Sequence, residues 1–452
     1  MSRPIPSGAL GLTAPRSRPQ LHFTADAGWI NDPYGVVWIG DRYHLFYQAV
    51  RGRVTWAPEC GWGHAESPDL VHWAELPPAL EPGDRERGCW SGSVVVDGAV
   101  PTLFYTRIAE DDWSIGAVVR ATGSADLRDW TADPDPVITG PPPELGVHTF
   151  RDPFVFRHGD QWRMVIGAGL TDGRGAAVQY SSTDLRTWTS DGLLCARPGE
   201  ERDPTWTGAM WECPQLFPLG DSWVLLVSVW DDDVLYYAAA ALGDYDGRRF
   251  SPRTWQRLTY GSCAYAMTGF ADRRGRRAVL SWLREEPQND PNLVCRAGAH
   301  SLPAVVIRTD GGLLALAPHP DVGAALGPAE QHASEDHEAT RIELGSSAVE
   351  LTLVPSPGLE LRVSSNGSDL AVLAFGATVP ELCVTRPGRP DGRVPISRGR
   401  ELRLMLDADL LEVFGAGGYG AFRIGAGHDA EATELAVSAP HPHFAIRRPR
   451  TD

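Results

Sequence analysis

The sequence predicts an all-β protein: a five-bladed β-propeller followed by a C-terminal β-sandwich. Three observations predict it. A turn motif recurs at a nearly constant interval. A series of short apolar strands interleaves with it five times. Long amphipathic helices are hard to find between residues 21 and 300.

The turn motif reads S-P-D-L-V-H-W at 67–73, S-A-D-L-R-D-W at 124–130 and S-T-D-L-R-T-W at 182–188, so its Asp steps from 69 to 126 to 184. Ser and Asp suit a turn, and the Trp suits an adjoining strand. The strand series reads G-D-R-Y-H-L-F-Y (40–47), D-G-A-V-P-T-L-F-Y (97–105), G-D-Q-W-R-M-V-I (159–166), G-D-S-W-V-L-L-V (220–227) and R-G-R-R-A-V-L-S-W (274–282). Each unit of about 55 to 60 residues has room for about four short strands, and four-stranded units repeated around an axis make a propeller.

Residues 301–320 read as a closing strand pair leading into a linker. From about residue 341 the pattern changes to alternating strands such as V-E-L-T-L-V (349–354), L-E-L-R-V (359–363) and L-R-L-M-L-D (402–407), as expected of a sandwich. The expected organisation is a flexible Pro/Arg-rich arm over 1–20, the propeller over 21–318, a linker with a short helix over 319–340, and the sandwich over 341–452.

Composition narrows the function. The 452 residues carry a formal net charge of −17, 42% are hydrophobic, and no residue is lysine. An acidic chain without basic clusters argues against nucleic acid or an anionic membrane as partner. No window approaches the ~18 apolar residues of a membrane span. The seven cysteines lack a C-x-x-C pair and the histidines lack ligand spacing, so no metal site and no disulfide framework are expected. Together with the absence of a signal-peptide h-region, this predicts a cytoplasmic protein.

W-I-N-D-P-Y-G at 29–35 holds one of six Asp-Pro pairs, which begin at Asp32, Asp133, Asp135, Asp152, Asp203 and Asp290. Most read as turn starters. Asp32, however, falls at the same place in the repeat as Asp152 of R-D-P-F-V-F and Glu212 of E-C-P-Q-L-F, at intervals of 120 and 60 residues. Each precedes a Pro, an apolar strand, Gly-Asp and an aromatic. Equivalent positions on innermost strands converge on the propeller axis. Carboxylates gathered there repel one another, which separates their pKa values. Glycoside hydrolysis needs such a separation. Clustered carboxylates also suit calcium, but these three lack the dense spacing of a calcium loop. Sixteen Trp residues, among them Trp29, Trp56, Trp62, Trp90 and Trp211 near these stretches, suit sugar stacking as well as packing between blades.

With these motifs in hand, the chain resembles glycoside hydrolase family 32, the β-fructofuranosidases, from about residue 21 to 425. W-I-N-D-P-Y-G, R-D-P (151–153) and W-E-C-P (211–214) are similar to its three motifs in order. Y-Q (47–48), W-S-G-S (90–93) and L-E-V-F-G-A-G-G (411–418) support the match. The resemblance implies a retaining hydrolase releasing β-fructofuranosyl units from sucrose or fructans without a cofactor. Asp32 would be nucleophile, Glu212 acid/base and Asp152 transition-state stabiliser. Asn31, Gln48, Trp56, Trp90, Ser91, Arg151 and Trp282 would bind substrate. Fructosyl transfer at the same site, a non-catalytic glycan-binding propeller and an arabinofuranoside-acting relative are the alternatives. The chain departs from the family pattern at Tyr34, Thr259, Cys263, Ala264 and Ala304, on what the resemblance implies is the leaving-group side.

Overall fold

The computed structural model describes residues 18–84, 86–108, 112–286, 295–333, 339–345, 348–376, 378–424, 432–440 and 442–450. Five blades follow one another, each built from consecutive antiparallel strands. Their innermost strands are Gly28–Ile39, Gly88–Asp97, Val147–His158, Met210–Leu219 and Ala264–Ala271. Blades three and four are joined by one residue pair, Gly169 with Met210, into a single eight-stranded sheet.

The two repeats correspond to two kinds of turn. The S-x-D-L-x-x-W motif joins the third and fourth strands of blades one to three. Its Leu residues, Leu70, Leu127 and Leu185, take left-handed φ of 67°, 61° and 60° and are buried. The Asp offsets that strain by bonding the backbone: Asp69 Oδ1 accepts from Val71 N–H and His72 N–H, and Asp184 Oδ1 from Arg186 N–H and Thr187 N–H. The interleaved series is the second strand of each blade. It follows a tight turn whose glycine, Gly40, Gly98, Gly159, Gly220 or Gly275, has positive φ.

The second domain packs a seven-stranded sheet on a six-stranded one around an apolar core that includes Leu361, Leu373, Val384, Val413 and Phe422. Of the stretch expected as linker, residues 320–325 form a short helix, and Glu330–Ala333 pairs with His443–Arg447 as an edge strand of the sandwich. Residues 1–17 of the expected arm lie outside the described residues. Gln20 is tied down: its N–H donates to Asp407 Oδ1 of the sandwich at 2.8 Å.

The two domains share hydrogen bonding and buried charge. Thr259–Gly261 pairs in parallel with Tyr419–Ala421, so the sandwich sheet runs onto the propeller. His22 is fully buried between Asp407 (2.8 Å) and Glu412 (2.9 Å). Arg423 is buried between Glu285 (2.9 Å) and Asp409 (2.8 Å). Burying charges is costly unless they are paired, as these are.

Candidate active site

All five innermost strands carry a β-bulge at the same height. The ladder slips between Ile30 and Pro33, Trp90 and Gly92, Arg151 and Phe154, Glu212 and Gln215, and Tyr265 and Thr268. A bulge leaves extra residues unpaired and re-aims their side chains. Asp152, Cys213 and Ala266 take left-handed φ of 67°, 47° and 47° there. Pro33, Pro153 and Pro214 sit at the bulges, where no ladder N–H is needed. They lie inside the strands and do not open them.

The register also corrects the equivalence of the three acids. Glu212 pairs with Ser228 as Arg151 pairs with Gly167, so the counterpart of Glu212 is Arg151, and that of Asp152 is Cys213. The acid moves by one residue between blades three and four, where a cation takes the vacated place. Asp32, two residues past the paired Ile30, is likewise one residue off Asp152, which directly follows the paired Arg151. The carboxylates still converge. Asp32, Asp152 and Glu212 line one cavity of about 520 Å³ with Asn31, Gln48, Trp56, Trp90, Ser91, Arg151 and Trp282. All ten catalytic and substrate-binding candidates are there.

Each carboxylate has its own partners. Ser91 Oγ donates to Asp32 Oδ2 at 2.6 Å and Asn31 Nδ2 to Oδ1 at 3.0 Å; Asn31 in turn donates to Gln48. The Cys213 N–H donates to Asp152 Oδ2 at 2.9 Å. The Cys213 thiol lies between the two aspartates, 3.7 Å from Asp32 Oδ2 and 3.6 Å from Asp152 Oδ2. Glu212 receives Arg151 Nε on Oε1 at 2.9 Å and the Tyr265 hydroxyl on Oε2 at 2.6 Å. The described residues contain no group of three His, Cys, Asp or Glu placed to hold a metal ion.

Burial pushes Asp32 up to about 6; the Ser91 hydrogen bond opposes this and the charge of Glu212 adds to it. Asp152 is raised by burial and by Glu212, with Arg151 opposing. Burial disfavours the Arg151 cation, but Glu212 and Asp152 more than offset that.

Close approach of blades three and four depends on Gly167. A Cβ there would lie 2.1 Å from the Trp211 carbonyl oxygen, so any larger residue would force the strand carrying Glu212 away from Arg151.

The aromatic residues divide. Trp56 and Trp90 line the cavity and pack against Trp113, edge-on at a ring-centroid distance of 6.1 Å and tilted at 6.3 Å. Trp282 lines it with a buried Nε1 that has no protein acceptor. Trp29, Trp62 and Trp211 are instead packed in the core. Tyr34 also turns away, its ring tilted against Trp62 at a centroid distance of 4.1 Å in the wall between blades one and two. The departures Thr259, Cys263, Ala264 and Ala304 are buried outside the cavity.

Sequence reasoning missed Tyr265, Trp113, Trp230, Asp112 and Asp233, which also line the cavity. Tyr265 carried a usable signal: it stands in the fifth innermost strand at the height of the other bulges. Trp230 lies at the end of the second strand of blade four, and Trp113, Asp112 and Asp233 project from connections with no repeat signature.

The glycosyl hydrolases family 32 N-terminal domain matches residues 22–315. The chain belongs to glycosyl hydrolase family 32. Among family 32 relatives, an Escherichia coli sucrose-6-phosphate hydrolase is 36% identical over 282 residues, covering 59% of this chain and 57% of that protein. The chain thus matches little more than half the length of that relative. A Salmonella typhimurium sucrose-6-phosphate hydrolase is 31% identical over 440 residues, 89% of this chain and 87% of that one. A Bombyx mori family 32 β-fructofuranosidase, solved as a mutant in complex with sucrose, superposes with a TM-score of 0.82 at 25% identity, covering 96% of this chain and 93% of that one. These matches agree with the propeller-plus-sandwich architecture.

Proposed function

We propose that this family 32 chain is a retaining β-fructofuranosidase that releases β-D-fructofuranosyl units from sucrose or fructo-oligosaccharides. The observation that carries the reading is the pairing, in one cavity, of Asp32 and Glu212 from different blades, each with its own hydrogen-bond donors.

Asp32 is the nucleophile in this scheme. A carboxylate oxygen attacks the anomeric carbon of the fructosyl unit while Glu212 gives its proton to the departing glycosidic oxygen. The C–O bond to the leaving sugar breaks and an ester to Asp32 forms. Water then attacks the same carbon and passes a proton to Glu212, and the ester bond breaks to free fructose and the Asp32 carboxylate. Such a double displacement expects carboxyl groups roughly 5–5.5 Å apart. Asp152, held by the Cys213 amide, supplies an acceptor for sugar hydroxyls. Arg151 keeps Glu212 and Asp152 from repelling each other outright. The Trp56, Trp90 and Trp113 rings offer apolar faces for the sugar.

The test is product analysis on sucrose, 1-kestose, inulin and levan. Wild type should release fructose. Asp32→Asn and Glu212→Gln should each lose about 10²–10⁴-fold or more in kcat. Full activity of Glu212→Gln, or no turnover of any fructoside by wild type, sinks the reading. Oligomeric fructosides accumulating at high sucrose would mark transfer to a sugar in place of water. The reading also proposes a reducing, cytoplasmic setting, supported by the buried free thiols of Cys60, Cys89, Cys213 and Cys263.

A further inference from the structure

A second large cavity, of about 720 Å³, opens between the propeller and the sandwich. It lies beside the stretch 258–264 where the chain departs from the family pattern. Arg257, Arg386, Arg389 and Arg393 line it, against the carboxylates of Glu286 and Asp391. In a chain of net charge −17 this is a local reversal of sign.

The arginines differ in how far the protein satisfies them. Arg393 is paired with Glu381. Arg386 and Arg389 converge on a single oxygen, Glu286 Oε2, at 2.5 and 3.1 Å. The buried Nε of Arg386 has no acceptor. Arg257 has no carboxylate partner among the described residues. Its Nε donates to the Thr259 carbonyl at 2.7 Å, and its guanidinium lies against two rings, 4.2 Å from the Tyr237 centroid and 4.7 Å from that of Tyr260. The rings hold the fork in place while its terminal nitrogens keep their donors. Burial disfavours its charge, and no carboxylate among the described residues pairs with it.

We propose that this interdomain cleft is an anion site that takes a phosphate-bearing small molecule, with Arg257 as its first contact. A preorganised guanidinium fork matches phosphate oxygens two at a time. Stacking on aromatic rings removes the entropic cost of fixing it. The volume exceeds that of free phosphate, so a sugar phosphate ester also fits. The site is separate from the catalytic cavity and does not depend on the reaction assigned to it.

The experiment uses the full chain in thermal melts and titration calorimetry. The probes are inorganic phosphate and fructose 6-phosphate, with chloride at matched ionic strength and plain fructose as controls. At about 10 mM, phosphate or its ester should raise the wild-type midpoint by about 2 °C or more over chloride. Arg257→Gln should weaken binding at least about ten-fold, and Arg257→Lys should weaken it less. Asp32→Asn should bind as wild type does. A stronger response to the ester than to phosphate identifies the ester as ligand; equal responses identify the free anion. Equal midpoints in phosphate, ester and chloride overturn the proposal. So does an Arg257→Gln protein that binds like wild type, or loss of binding in Asp32→Asn, which would put the ligand in the catalytic cavity.

Discussion

The Tyr265 hydroxyl donates to Glu212 Oε2 at 2.6 Å, from the fifth blade to the fourth. With Arg151 on Oε1, it fixes the carboxyl plane of Glu212 from two sides. Tyr265→Phe removes one fixing bond and leaves the ring. A hydrogen bond to a charged group contributes about 1.5–3 kcal/mol. The expected result is a fall in kcat/KM of roughly 10–100-fold on sucrose from a protein that is still folded at the assay temperature. Steady-state kinetics and a melt on the same preparation check it.

Asp32 must be ionised to attack, and burial holds it at about 6. Activity should therefore fall with decreasing pH through about 6, along a one-proton limb. Ser91 donates to the ionised form and so lowers the pKa. Ser91→Ala should move that limb to higher pH. A pH profile of kcat/KM for both proteins decides it; a limb that stays in place contradicts the role given to Ser91.

Gly167→Ala tests the contact between blades three and four. The new Cβ would meet the Trp211 carbonyl at 2.1 Å and the Arg151 carbonyl at 3.2 Å, both backbone and neither able to swing aside. Overpacking of this kind costs about 1–3 kcal/mol or more. The variant should melt earlier and lose activity together, because the displaced strand carries Glu212. A variant with a lower midpoint but wild-type kcat would show that the strand recovers its place.

His22 gives the domain junction a pH dependence. Burial alone would push it down, but the charges and hydrogen bonds of Glu412 and Asp407 hold it at about 9. The folded pKa lies above the unfolded value of about 6.5. Its contribution, on the order of 3 kcal/mol, is complete below about pH 6.5 and is lost as pH rises through about 9. Thermal midpoints from pH 6 to 9.5 should decline in wild type. In His22→Gln they should start lower and decline less over that range.

Much of this was legible in the sequence because the fold repeats. S-x-D-L-x-x-W and the Gly-led strands mark fixed places in each blade, so Asp32, Asp152 and Glu212 could be aligned before any coordinates. The one-residue offset that separates Asp152 from both Asp32 and Glu212 was not legible. It depends on where each bulge falls in the ladder, and Glu-Cys-Pro differs from Asp-Pro by a residue that reads as filler. Tyr34 could not be placed either. Its ring faces Trp62 because of a bulge around Gly35 and Val36, a backbone event without a sequence marker. The cross-domain partners Asp407, Glu412 and Arg423 lie more than a hundred residues from the groups they meet, and no periodicity joins them.

The first blade takes its four main strands from residues 28–80, and the fifth takes its four from 264–318. The ring therefore has a joint where its two ends meet. The propeller itself spans that joint with the two-residue pairing of Arg296–Ala297 with Gly28–Trp29, His300 bonded to Phe23 O and Asn31 O, Arg273 bonded to the Tyr43 hydroxyl and Pro68 O, and Phe270, Ala278 and Leu280 packed with Ile30 and Tyr43. Asn31 is also the residue that holds Asp32. The sandwich adds to that fastening, through Asp407 on the N–H groups of Gln20, Leu21 and His22 and Glu412 on His22 and Leu302. The second domain thus works as the buckle of a belt. Cutting it away would loosen the ring at the joint beside the nucleophile, while the other two acids stay together on one continuous sheet.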